Sequence, residues 1–173
     1  FQIDAFVLLK NSFGGSGYDI ACAQNNSSVL YHLENGKPIV ERVTFDPVFS
    51  ENLYFVYLDK KQNSKAAIAS YYENPKNDLA KTIVKNDKIT LEVLNAKNLQ
   101  QFALTIEKHE TEMSAILKTE TVKESLFPDF EGTVKSLGAW GGDFILVTSL
   151  EDPSVYFKNK GFSTIIPFSN LIL

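Results

Sequence analysis

The sequence predicts an α+β fold. Three observations carry it. Some segments repeat apolar residues at helical spacing, while others are short continuous apolar runs of strand length. An Asn-Gly pair joins two β-rich runs, which is a hairpin signal. The two kinds of segment are mixed along 173 residues, the length of one domain, with no repeat, low-complexity tract or interdomain linker.

The elements follow in order. Residues 1–10 place Phe1, Ala5, Leu8 and Leu9 at helical spacing, and the run Asn11 to Gly17 breaks the chain. A second helix is expected from Tyr18 to Gln24, with Ser16 as N-cap and Asp19 in a capping-box-like position. Ser28–Leu33 and Ile39–Phe45 form the hairpin, joined by a longer loop from Glu34 to Pro38. Leu53–Leu58 is a buried strand. Ser64 can cap a helix from Lys65 to Tyr72. Leu79–Leu117 is helical, with an interruption near Lys85-Asn86-Asp87-Lys88. Leu91, Leu94, Leu99, Phe102, Ile106, Met113 and Ile116 are expected to line its buried faces. Phe127-Pro128-Asp129 is a break. Thr133–Leu137 leads into a second glycine run, Phe144–Thr148 is a strand, Glu151-Asp152-Pro153 opens a short helix ended by Gly161, and Ser163–Phe168 is a last strand.

Composition narrows the function. Hydrophobic residues make up 44% and charged residues 22%, values that exclude disorder, a collagen and a disulfide scaffold. No apolar run approaches the ~20 residues of a membrane span. The net charge of −4 offers no basic field for nucleic acid. Arg42 is the sole arginine among 17 basic residues, which argues against chemistry built on bidentate arginine clamps. The lone Cys22 forms no internal disulfide, so a reducing, cytoplasmic setting is expected. No Cys/His spacing suggests zinc, and no residue is assigned to a metal. Phe1 to Leu9 has neither the basic region nor the cleavage site of a signal peptide. It reads as the middle of an element, so the chain is expected to be processed or to be the carboxyl part of something longer.

Two segments stand out. Gly14 to Asp19 and Gly138 to Asp143 together hold six of the nine glycines. Glycine turns that enter a helix expose backbone N–H groups suited to phosphate oxygens. Neither is a Walker A loop or a dinucleotide fingerprint.

In this order, Gly15-Ser16-Gly17-Tyr18-Asp19-Ile20-Ala21 and Lys135-Ser136-Leu137-Gly138-Ala139-Trp140-Gly141-Gly142-Asp143 resemble two motifs of the GHMP kinases. The first is similar to the segment carrying that family's catalytic aspartate, and the second to its third motif, usually K-x-x-G-A-G-G-G. Gly-Tyr-Asp-Ile-Ala looks most like the mevalonate and phosphomevalonate kinase branch. The resemblance covers the second half of a family member. It implies the carboxyl-terminal half of the kinase fold, an antiparallel sheet packed with helices. Residues 1–50 would end the amino-terminal domain and 51–173 would form the carboxyl-terminal one.

The implied activity is transfer of a phosphoryl group from ATP, with Mg2+, to a mevalonate- or phosphomevalonate-like hydroxyl or phosphate acceptor. Asp19 is then the base; without the resemblance it reads as a capping carboxylate. Gly15, Ser16, Gly17, Gly138, Ala139, Gly141 and Gly142 would line the phosphates and acceptor. Ser64, Lys65 and His109 are further substrate candidates. Their alternatives are an N-cap, a solvated lysine, and an exposed helix face beside Glu107, Lys108 and Glu110. Asp4, the carboxylate upstream of the motif, reads as an exposed helix acid. Trp140 departs from the all-small third motif. Asp143 reads as structural and Cys22 as packed. Expected partners are the small-molecule acceptor and the missing amino-terminal half of the same protein, with homodimerisation as an option. Neither nucleic acid nor membrane is expected as a partner. By itself the chain is expected to be inactive. Two alternatives stand beside this one: a diphosphomevalonate-decarboxylase-like enzyme, and a non-catalytic ligand-binding or interaction domain on the same half-fold.

Overall fold

A computed structural model of the chain describes residues 4–12, 15–60, 79–138 and 142–172. They separate into two units, divided between Asp46 and Pro47.

The first unit begins with helix α1, Ala5–Ser12. Asp4 starts it by accepting from the N–H groups of Phe6 (2.9 Å) and Val7 (3.3 Å) through Oδ1. Helix α2 spans Tyr18–Ala23. Strands β1, Val29–Glu34, and β2, Lys37–Arg42, pair antiparallel. The loop between them is tighter than the sequence led us to expect. Asn35 (φ 51°) and Gly36 (φ 74°) alone make the turn. Two successive left-handed residues match the twist of the strands, so the hairpin closes in two residues. Pro38 then falls opposite Leu33, at a position whose N–H would point away from the partner strand, so its missing donor leaves the ladder intact.

The second unit is built on a four-stranded antiparallel sheet of order β4-β5-β3-β6. Its strands are β3, Leu53–Tyr57; β4, Val134–Ser136; β5, Phe144–Thr148; and β6, Ile165–Pro167. The helices are α3, Leu79–Leu94; α4, Leu99–Leu117; α5, Val122–Leu126; α6, Ser154–Asn159; and α7, Phe168–Leu171. The α+β class is as the sequence predicts.

Strand alternation sorts the sheet's two faces. Val56, Leu58, Val134, Ile145 and Val147 pack with Val122, Phe127, Phe130 and Phe157 in one core. The Phe157 ring lies 5.0 Å from both Phe127 and Phe130 and is fully buried. A Thr121–Glu124 capping box starts α5 and fixes the chain that delivers Phe127. A second buried set contains Ile89, Phe102 and Ile106, with the Phe49 ring tilted against Phe102 at 5.2 Å.

The long helical region is corrected in two places. The chain stays helical through Lys85–Lys88, because no glycine or proline stops it and its polar groups find partners. Lys85 pairs with Glu112, and the Asn86 amide lies 3.9 Å from the Met113 sulfur. The break falls at Asn95–Asn98, where Asn98 caps α4 by accepting from the Gln101 N–H at 2.9 Å. Leu91 is half exposed, and Ile89 takes the buried position instead. The helix expected after Ser64 lies outside the described residues.

Phe157 joins three aromatic neighbours in the core. Phe157→Ala is expected to cost about 3–5 kcal/mol of unfolding free energy in urea titration, and Phe157→Leu markedly less.

Candidate active site

The first glycine segment is held by its own unit. Gly17 (φ 82°, ψ 6°), not Ser16, is the N-cap of α2, and no side chain caps that helix. A Cβ on Gly17 would stand 2.8 Å from the Phe6 ring of α1 and would force a left-handed conformation on an L side chain. Ser16 instead accepts from the Tyr18 N–H through Oγ at 3.3 Å, and its carbonyl accepts from the Tyr31 hydroxyl of β1. The Tyr18 and Tyr31 rings meet edge to face at 5.7 Å. Hydrogen bonding with Cys22, then burial, then the charges of Cys22 and Asp19 push the Tyr18 phenol up to about 12. Cys22 is thus a partner of Tyr18.

Asp19 stands in the first turn of α2, exposed. No hydrogen bond or ion pair to its carboxylate comes from any described residue, and it does not cap the helix. Arg42 is used elsewhere: its Nε donates to Asn25 Oδ1 at 2.8 Å, and the Asn25 amide donates to the Ala21 carbonyl at 2.7 Å.

The second glycine segment belongs to the other unit. It leaves the sheet at Ser136, the last residue of β4, and returns at Phe144. Its base is closed by Leu137 N–H donating to the Phe144 carbonyl at 3.2 Å and by Leu58 N–H donating to the Asp143 carbonyl at 2.7 Å. Asp143 is therefore tied in by its backbone, with its side chain exposed. Gly138 (φ 69°) is exposed, while Gly142 is buried with the Leu137 carbonyl 3.1 Å from where a Cβ would stand. Ala139, Trp140 and Gly141 lie outside the described residues, as do Ser64 and Lys65.

His109 is not on an open helix face. Its Nδ1 lies 3.2 Å from Lys135 Nζ, and its neighbour Glu110 is only 3% exposed. Glu110 Oε1 accepts from Lys135 Nζ at 3.1 Å and Oε2 accepts from the Ser136 N–H at 3.0 Å. Burial pushes the Glu110 carboxyl up, but His109, the Lys135 charge and the Ser136 N–H outweigh it and hold the group below the ordinary carboxylate range. Sequence reasoning missed Glu110. The signal was its spacing: Phe102, Ile106 and Glu110 recur every fourth residue, so this carboxylate continues a buried stripe.

The fit to nucleotide phosphates can be tested on the backbone. No described residue lies within 4 Å of where a Cβ would stand at Gly15 or Gly138, and a glycine backbone lets an oxygen approach closely. Mg2+ needs only one or two carboxylates beside phosphate and water. Asp19 is exposed, whereas Asp4 has one oxygen committed to α1. Among the described residues no three His, Cys, Asp or Glu side chains gather as a metal site. A cavity of about 970 Å3 lies elsewhere in the second unit, between Asn98 and Tyr156. It is lined by Asp129, Glu131, Glu151 and Asp152, which disfavours phosphate, and it includes neither Gly138 nor Gly142.

Comparison with solved structures places the fold. One neighbour is mevalonate kinase from L. major in complex with R-mevalonate, with a TM-score of 0.63 and 17% identity over 91% of this chain. The chain shares its fold with a mevalonate kinase. A Lin0012 protein from Listeria innocua is also similar, with a TM-score of 0.72 and 14% identity over 94% of this chain. The chain spans 56% of the Listeria protein and 51% of the kinase, about half of each. No family model matches the sequence, and no curated protein matches it significantly. No helix among the described residues is long and apolar enough to cross a membrane.

Two outcomes follow. Gly17→Ala is expected to lower stability by about 1 kcal/mol or more in chemical unfolding, through the left-handed backbone and the Phe6 contact. Glu110, with its lowered value, stabilises the fold at pH above the ordinary glutamate range, and that contribution is lost as pH falls through its native value. Glu110→Gln should therefore be less stable at neutral pH and show a flatter acid limb in stability measured against pH.

Proposed function

We propose that this chain is the carboxyl-terminal part of an ATP-dependent small-molecule kinase of the GHMP type, in the mevalonate/phosphomevalonate kinase-like branch. Its acceptor is a mevalonate- or phosphomevalonate-like hydroxyl or phosphate. The observation that carries the reading is the Asp19 carboxylate, exposed and without a described partner directly after Gly15-Ser16-Gly17. The shared fold with a mevalonate kinase supports it.

Phosphoryl transfer depends on positioning and charge neutralisation rather than on covalent chemistry by the protein. In this reading Asp19 orients the acceptor hydroxyl and takes its proton. Glycine turns such as these two segments carry backbone N–H groups of the kind that suit phosphate oxygens. ATP with Mg2+ supplies the phosphoryl group. An amino-terminal portion completes the site, and residues 1–50 and 51–173 belong to successive domains of the whole enzyme, which works in the cytoplasm. The decarboxylase alternative carries less, because its arginine needs would fall on Arg42, the one arginine of this sequence.

The test uses the full-length protein with ATP and, in turn, mevalonate, phosphomevalonate and sugar acceptors. Asp19→Asn is expected to lower kcat by about a hundredfold or more, the usual scale for a general base. Unchanged turnover in Asp19→Asn removes Asp19 as the base, and no ATP consumption with any acceptor removes the kinase reading.

A further inference from the structure

Strand β4 is the edge of the four-stranded sheet. Leu137 N–H points inward to β5, so the N–H and C=O of Ser136 point outward, where an edge strand normally meets water or another chain. Here both are taken. Glu110 Oε2 accepts the Ser136 N–H at 3.0 Å, and Lys135 Nζ donates to the Ser136 carbonyl at 3.1 Å.

The same ammonium donates to Glu110 Oε1 at 3.1 Å and lies 3.2 Å from His109 Nδ1. An ammonium has three donors and no acceptor. The Glu110 and Ser136 oxygens take two of them, and the ammonium also faces His109 Nδ1. Other ion pairs of the α3–α4 pair join Lys85 to Glu112 and Lys108 to Glu92. Lys135 thus sits at the head of the third motif with its ammonium turned into this cluster.

Resting on the kinase reading above, we propose that Glu110 is a positioning residue that fixes Ser136–Gly138 at the entry to the second glycine segment, with Lys135 as its structural cross-link and not a phosphate ligand. The buried carboxylate replaces the missing neighbour strand at one residue. It fixes the direction in which the backbone leaves the sheet, and so where the Gly138 N–H stands.

The experiment compares full-length wild type with Glu110→Gln, Lys135→Gln, the double variant and, as a control that keeps the backbone contacts, Ser136→Ala. Readouts are amide hydrogen exchange at Ser136 and Leu137, the ATP dissociation constant and steady-state kinetics. Glu110→Gln and Lys135→Gln should each speed exchange at Ser136 by about tenfold or more, and the double variant should be close to the worse single, as groups of one network behave. Both should lower kcat by about tenfold or more while the ATP dissociation constant stays within about twofold. Ser136→Ala should resemble wild type throughout.

Weaker ATP binding in Lys135→Gln with unchanged exchange at Ser136 would overturn the proposal and make the lysine a phosphate ligand. Unchanged exchange and unchanged kcat in Glu110→Gln would overturn it equally. Should Glu110→Gln not fold, Lys135→Gln carries the same exchange test. If wild type neither binds nor consumes ATP, the kinase reading falls, and with it the catalytic part of the proposal, while exchange at Ser136 still decides whether Glu110 holds the edge.

Discussion

A buried carboxylate closes the open edge of the main sheet. Glu110 is charged and almost wholly removed from water, which is costly unless every lone pair is answered. It is answered by the Lys135 ammonium and the Ser136 N–H. The arrangement ties the long helix α4 to the three-residue strand β4 at the point where the backbone leaves for Gly138. The aromatic core on the other face, with Phe127, Phe130 and Phe157, holds β4 and β5 in register from below. Between them these contacts leave the exit of the strand little freedom.

Much of the fold was legible in the sequence because it depends on short-range pattern. Phe144–Thr148 is a continuous apolar run and forms β5 over those residues. Asn35-Gly36 signals a hairpin because both residues tolerate the left-handed backbone; only the tightness of the loop was underestimated. The long helices were harder. Polarity at Lys85–Lys88 looked like a break, but charge does not stop a helix, and these side chains meet partners on α4 that are distant in sequence. The true stop came from Asn98, a cap whose signal is one residue wide.

The candidate site divides in the same way. The glycine segments and Asp19 were visible as local composition. The cap was misassigned to Ser16, because a serine before a helix is a common cap, whereas here Gly17 supplies the left-handed turn and Phe6 leaves no room for a side chain. Glu110 stayed hidden because a charged residue among Glu107, Lys108 and Glu112 reads as surface. Its partners Lys135 and Ser136 come from a strand far along the chain, and only the four-residue spacing from Ile106 hints at burial. His109 likewise meets Lys135 of that strand.

The central claim is that Asp19 serves as the base toward a small-molecule acceptor. The most direct measurement is a crystal structure of the full-length protein with a non-hydrolysable ATP analogue and mevalonate or phosphomevalonate. The account predicts the Asp19 carboxylate within about 3 Å of the acceptor hydroxyl, with the γ-phosphate on that hydroxyl's far side. An acceptor bound away from α2, with Asp19 facing solvent, would contradict it.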